Sequence, residues 1–116
     1  MYHLASCSTC QRIIKELDLS EEVILQNIKA EKITAEELDL MAKMSGSYES
    51  LFSRRAMKYK SMGLKERTLT EAEYRQLILD EYTFLKRPVL VLEDAIFVGN
   101  AKKVVAAAAD KLRVEN

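Results

Sequence analysis

Tyr2-His3-Leu4-Ala5-Ser6-Cys7-Ser8-Thr9-Cys10-Gln11 is the stretch on which the reading of this chain turns. Met1 to Leu4 leave room only for a very short strand, as if a first strand of the usual length of about 5 residues had been clipped. Ser8-Thr9-Cys10-Gln11 then fits the S/T-x-x-Q capping box that opens a helix. Ile13, Ile14 and Leu17 supply that helix with an apolar face, and Leu19-Ser20 end it. Val23-Ile24-Leu25-Gln26-Asn27-Ile28 reads as a second strand. Strand, helix and strand within the first 29 residues make a compact βαβ unit, with two cysteines at its first turn.

Beyond this unit the pattern becomes helical. Thr34-Ala35-Glu36-Glu37 is a second capping box, followed by Leu38, Met41 and Met44 on one face; Ser45-Gly46-Ser47 breaks the helix. A short helical stretch is expected from Tyr48 to about Arg55, and Gly63 marks a loop. Thr70-Glu71-Ala72-Glu73 caps another helix, with Tyr74, Leu77, Ile78 and Tyr82 facing inward. Pro88 then opens Val89-Leu90-Val91-Leu92, apolar throughout and therefore a buried strand. Glu93-Asp94 turns the chain, and Ala95-Ile96-Phe97-Val98 returns as the hairpin partner. Asn100 is the expected N-cap of a last helix with Val104, Val105, Ala108 and Leu112 on its inner face. The order βαβ, helical insert, ββα describes an α/β protein with a mixed sheet.

Composition agrees. The chain has 116 residues, 48% of them hydrophobic and 31% charged, enough for one domain with one core. A formal charge of zero argues against direct nucleic-acid binding. No apolar run reaches the length of a membrane span, and Met1-Tyr2-His3-Leu4 lacks the pattern of a signal peptide. A cytoplasmic protein without a membrane partner is expected.

The two cysteines are the only ones. Cys7 falls where a strand gives way to a helix, and the unpaired N–H groups and dipole of a helix start favour negative charge. A thiol there should ionise below the ordinary value of about 8.5, and the thiolate is the reactive form. Cys10, one turn on, is placed to attack a mixed disulfide formed at Cys7. A zinc site would need four ligands, and only His3 is left to help, so no metal is expected. Inert packing is the other alternative, since free cysteine is often buried; the βαβ setting favours redox chemistry. His3 has two readings: an imidazolium that lowers the Cys7 pKa, or a strand residue with its polar tip at the surface.

Between Arg54 and Arg67 lie six basic residues and one acid, Glu66. Such a run is either a solvated face or a device for binding an anion beside the thiol. Lys86-Arg87-Pro88 is more specific, because the only proline stands at the mouth of an apolar strand.

Tyr2-His3-x-x-x-Cys7-x-x-Cys10, Ser53-Arg54-Arg55 and Lys86-Arg87-Pro88-Val89, with the hairpin ending Phe97-Val98-Gly99, together resemble the ArsC/Spx-like family over nearly the whole chain. The resemblance implies a thioredoxin-like fold with a helical insertion at about 34–83 in one domain spanning 1–116, and a cis proline at Pro88. It implies Cys7 as nucleophile, with His3 and Cys10 as its catalytic neighbours. Arg87, with Arg55 or Arg54, Arg12, Ser8 and Pro88, would form the anion or substrate site. The chain departs from the family's arsenate reductases in two places. Its final hairpin, Ile96-Phe97-Val98-Gly99-Asn100, has no arginine, and Gln11 followed by Arg12 stands where they carry an arginine.

Three functions follow as expectations. The first is a thiol-disulfide oxidoreductase using glutathione or a glutaredoxin- or thioredoxin-type reductant, with no bound cofactor. The second is a glutaredoxin-coupled arsenate reductase. The third is a Spx-like redox-sensing regulator that binds RNA polymerase.

Overall fold

The computed structural model describes residues 1–115, which separate into two compact units: residues 1–32 with the chain from Arg87 onward, and Ile33–Lys86. The first unit holds β1 (Tyr2–His3), α1 (Ser8–Leu17) and β2 (Gln26–Asn27). The second holds α2 (Ala35–Ser45), α3 (Met57–Ser61) and α4 (Glu71–Asp80), with single 3-10 turns at Glu49–Leu51, Leu64–Glu66 and Tyr82–Phe84. The chain then returns to the first unit for β3 (Val89–Val91), β4 (Ile96–Val98) and α5 (Lys102–Glu115). The expected helical segment lies within Ile33–Lys86.

One four-stranded mixed sheet, ordered β2-β1-β3-β4, organises the first unit. β1 runs parallel to β2, pairing Tyr2 with Gln26 and His3 with Asn27, and antiparallel to β3. β3 and β4 form the expected hairpin, closed by Leu92 N–H on the Ala95 carbonyl at 2.8 Å. Ile13 and Leu17 of α1 and Ala108 of α5 cluster with Met1 and Leu90. Val105 and Leu112 pack against the same cluster, so the two helices share one apolar layer. This is the α/β, thioredoxin-like arrangement the sequence implies, and the Arg87–Pro88 peptide bond is cis.

Four local expectations fail, the first being the helical stretch from Tyr48 to about Arg55: only the 3-10 turn Glu49–Leu51 forms, because Phe52 turns extended to bridge Leu85. The strand expected over Val23–Ile28 shrinks to Gln26–Asn27, because a partner only two residues long offers pairing to no more. Val23 instead closes a turn on Ser20, and Ile24 is left 81% exposed. The Ser8 capping box does not form: Cys7 is the N-cap, and Gln11 turns its side chain to the Ala5 carbonyl. At the last helix the Val105 amide bonds the Ala101 carbonyl, which puts Ala101 rather than Asn100 at the cap position. The sequence also gave no warning of α3, which buries none of its residues and so carries no apolar periodicity.

The capping boxes at Thr34 and Thr70 do form, each hydroxyl accepting from the third helical amide while that residue's carboxylate accepts from the threonine amide. Thr34→Ala and Thr70→Ala should each cost about 1 kcal/mol. Urea unfolding would show this as a lower midpoint at unchanged slope. Ser8→Ala, whose hydroxyl caps nothing, should change stability by less than about 0.5 kcal/mol.

Candidate active site at the start of the first helix

The turn between β1 and α1 is tightly held. Cys7 N–H donates to the Leu4 carbonyl at 3.0 Å, and the Cys7 carbonyl accepts from Gln11 N–H at 3.1 Å as α1 begins. Ala5, at the crest, gives its N–H to Asn27 Oδ1 and takes Gln11 Nε2 on its carbonyl, both at 3.2 Å. Cys7 has extended backbone angles (φ −89°, ψ 112°), as an N-cap should. No side-chain oxygen caps the helix, so the first amides of α1 remain available to the sulfur.

The two thiols are reduced and differ sharply. Cys7 is half-buried, whereas Cys10 has no exposed surface. Partial burial works against ionising Cys7, yet its pKa falls below the ordinary thiol value. The Cys10 backbone N–H, the Cys10 thiol, the Thr9 N–H and the Arg87 guanidinium together outweigh the burial. Cys10 moves the other way: burial pushes its pKa up, and hydrogen bonding to Cys7 adds to the rise against the pull of the Leu4 amide. The pair therefore makes the sulfur that solvent can reach the easier to ionise and the buried one the harder.

The other expected site residues are placed as follows. Arg87 acts on Cys7 from the residue before the cis proline, and Pro88 is buried. His3 is buried, with its Nδ1 lacking a hydrogen-bond partner, and burial lowers its pKa, so the imidazolium form is disfavoured. Ser8 is an exposed first residue of α1. Arg12 lies exposed on α1, 3.7 Å from Glu16. Arg54 belongs to the second unit, where it bonds Glu49 at 2.7 Å and the Tyr74 hydroxyl at 3.1 Å. Arg55 is exposed in a turn of that same unit. Among the described residues, no group of three or more His, Cys, Asp or Glu side chains is placed to hold a metal ion.

Sequence reasoning passed over Asn27, hidden inside an apolar strand pattern, and misassigned the side chain of Gln11. Only the tertiary path of the turn shows that both reach Ala5.

The model of the ArsC family matches residues 2–108. The chain belongs to the ArsC family. Among solved structures it resembles an ArsC family related protein from Bacteroides fragilis at 26% identity, covering 92% of this chain and 93% of that one, with a TM-score of 0.76. An ArsC-related protein from Brucella melitensis shares the fold at 22% identity, 91% and 89% coverage, and a TM-score of 0.68. An arsenate reductase from Vibrio cholerae does so at 19% identity, 92% and 93% coverage, and a TM-score of 0.72. A search of curated proteins gives no match. Within this ArsC-family chain, no helix among the described residues is long and apolar enough to cross a membrane.

A lowered Cys7 pKa has a direct signature. Its alkylation by iodoacetamide should rise with pH and reach half its maximum below the ordinary thiol range, because only the thiolate reacts. Arg87→Ala should move that midpoint upward. Arg87 is the smallest of the named influences, so the rate at neutral pH should fall by only about twofold to threefold. A midpoint at the ordinary thiol value in the unmodified protein would refute the lowered Cys7 pKa.

Proposed function

We propose that this ArsC-family protein is a thiol-disulfide oxidoreductase with Cys7 as its nucleophile. The observation that carries the reading is the asymmetry of the pair: an accessible sulfur with a lowered pKa beside a buried one whose pKa is raised. The Cys7 thiolate attacks the glutathionyl sulfur of a mixed disulfide, the S–S bond breaks, and the peptide leaves as a thiolate that takes a proton from water. Cys7 is now joined to glutathione. Either Cys10, after losing its proton, attacks Cys7 and expels glutathione, or a second glutathione thiolate attacks the glutathionyl sulfur and frees Cys7. The first route leaves a Cys7–Cys10 disulfide for a glutaredoxin- or thioredoxin-type reductant. The second yields glutathione disulfide. Arg87, whose charge is felt at the Cys7 sulfur, holds a carboxylate of the glutathionyl group.

The test is release of peptide from a glutathionylated substrate by the reduced protein with glutathione present. Multiple turnovers support the proposal, and a rate equal to that of glutathione alone defeats it. Arsenate serves as the competing substrate. The arsenate reductase name of the Vibrio cholerae structure is its support, and the arginine-free hairpin stands against it. Binding to RNA polymerase without turnover would favour the regulatory reading.

A further inference from the structure

We propose that Asn27 and Gln11 are positioning residues that clamp the β1–α1 turn at Ala5 and so hold the Cys7 sulfur against the first amides of α1. The inference deepens the function proposed above and rests on Cys7 being its nucleophile.

Both polar backbone groups of Ala5, at the crest of this turn, have a defined partner. The Ala5 N–H goes to Asn27 Oδ1 and the Ala5 carbonyl to Gln11 Nε2; Leu4 and Cys7 close the turn between them. Both clamping side chains stand on fixed backbone. Asn27 is paired with His3 in the sheet, and its carbonyl accepts from Ala30 N–H at 3.1 Å and Glu31 N–H at 2.8 Å. Gln11 bonds the Cys7 carbonyl through its own amide, so one residue grips the turn at two points. A side chain on such a mount locates its partner better than one on a free loop.

The geometry makes the clamp consequential. Cys7 lies two residues beyond Ala5, and the thiolate is favoured only while the sulfur stays near the Thr9 and Cys10 amides. Freeing Ala5 lets the turn sample positions in which the sulfur faces water. The titratable and charged groups acting on Cys7 are Cys10 on its own helix and Arg87 ahead of β3, and the clamp variants alter neither.

The experiment compares wild type, Asn27→Ala, Gln11→Met and the double variant. Iodoacetamide labelling of Cys7 is followed by mass spectrometry across pH, with thermal melting as the control for folding. Each single variant should shift the profile toward that of an ordinary thiol and lower the rate at neutral pH by roughly threefold to tenfold, the scale of one hydrogen bond. The double variant should lose less than the product of the two, since both hold one residue. Wild-type profiles in both single variants would overturn the clamp. Hydrogen exchange of the wild-type Ala5 amide needs no variant: protection is expected, and exchange at the rate of an unstructured peptide would also overturn it. Labelling requires no disulfide substrate. A protein without turnover whose profile still shifts keeps the clamp and rejects the oxidoreductase, and turnover with unmoved profiles does the reverse.

Discussion

Cys7→Ser is expected to lower turnover of a glutathionylated peptide by on the order of 10³-fold or more, the scale on which removal of a nucleophile acts. A serine hydroxyl in the same place stays protonated at neutral pH, and two backbone amides and one guanidinium are far too little to ionise it. The variant should nevertheless fold. The Cys7 carbonyl that accepts from Gln11 N–H is equally present in serine, and a serine hydroxyl is itself a favoured N-cap. Cys10→Ser should behave differently. Cys10 is not the reachable sulfur, and glutathione can resolve the mixed disulfide in its place, so activity should fall by about tenfold or less. Equal losses in the two variants would mean that the chemistry does not distinguish the sulfurs. A Cys7→Ser protein with full activity would remove the nucleophile altogether. The readout is initial rate with glutathione held in excess, after circular dichroism has shown the variants folded.

The difference between the cysteines was only half legible in the sequence. Position at a strand-to-helix turn marked Cys7 as the sulfur to ionise, because helix starts present unpaired amides whatever the surrounding fold. Nothing in Cys7-Ser8-Thr9-Cys10 indicated that Cys10 has no exposed surface. That follows from its position on the inner face of α1, which buries Cys10, Ile13 and Leu17 together. The capping boxes at Thr34 and Thr70 were readable because they are closed local circuits of four residues. The same pattern at Ser8 misled, because Gln11 had a competing acceptor in Ala5 that lies outside the motif. Sheet order, strand ends and the reach of Asn27 depend on which segments meet across the chain, and a local pattern does not encode that. For Arg54 the sequence offered a basic run, and the structure shows its guanidinium engaged by Glu49 and Tyr74 within the second unit.

In that second unit, Phe52→Ala should cost about 3–5 kcal/mol, the range for deleting a fully buried aromatic ring. Phe52 has no exposed surface. Its ring stacks on Phe84 at 5.0 Å between centroids, meets Tyr74 edge-on at 4.9 Å, and touches Tyr59 at 6.0 Å. One side chain therefore joins α3, α4 and the 3-10 turn at Tyr82–Phe84. The backbone follows the same path: Phe52 bridges to Leu85, Ser53 N–H reaches the Phe84 carbonyl at 2.7 Å, and Lys86 N–H reaches the Leu51 carbonyl at 2.8 Å. Alanine would leave three rings facing a void that main-chain bonding on both flanks prevents from collapsing. Total stabilities of such domains are only about 5–15 kcal/mol, so the loss should be visible as partial unfolding near physiological temperature. Phe52→Leu retains most of the volume and should cost less, leaving the void as the cause. Urea melts of both variants measure the difference, and exchange of the Ser53 and Lys86 amides locates it. A cost under about 1 kcal/mol for alanine would mean that the unit repacks around the gap, against the rigidity expected of a close-packed interior.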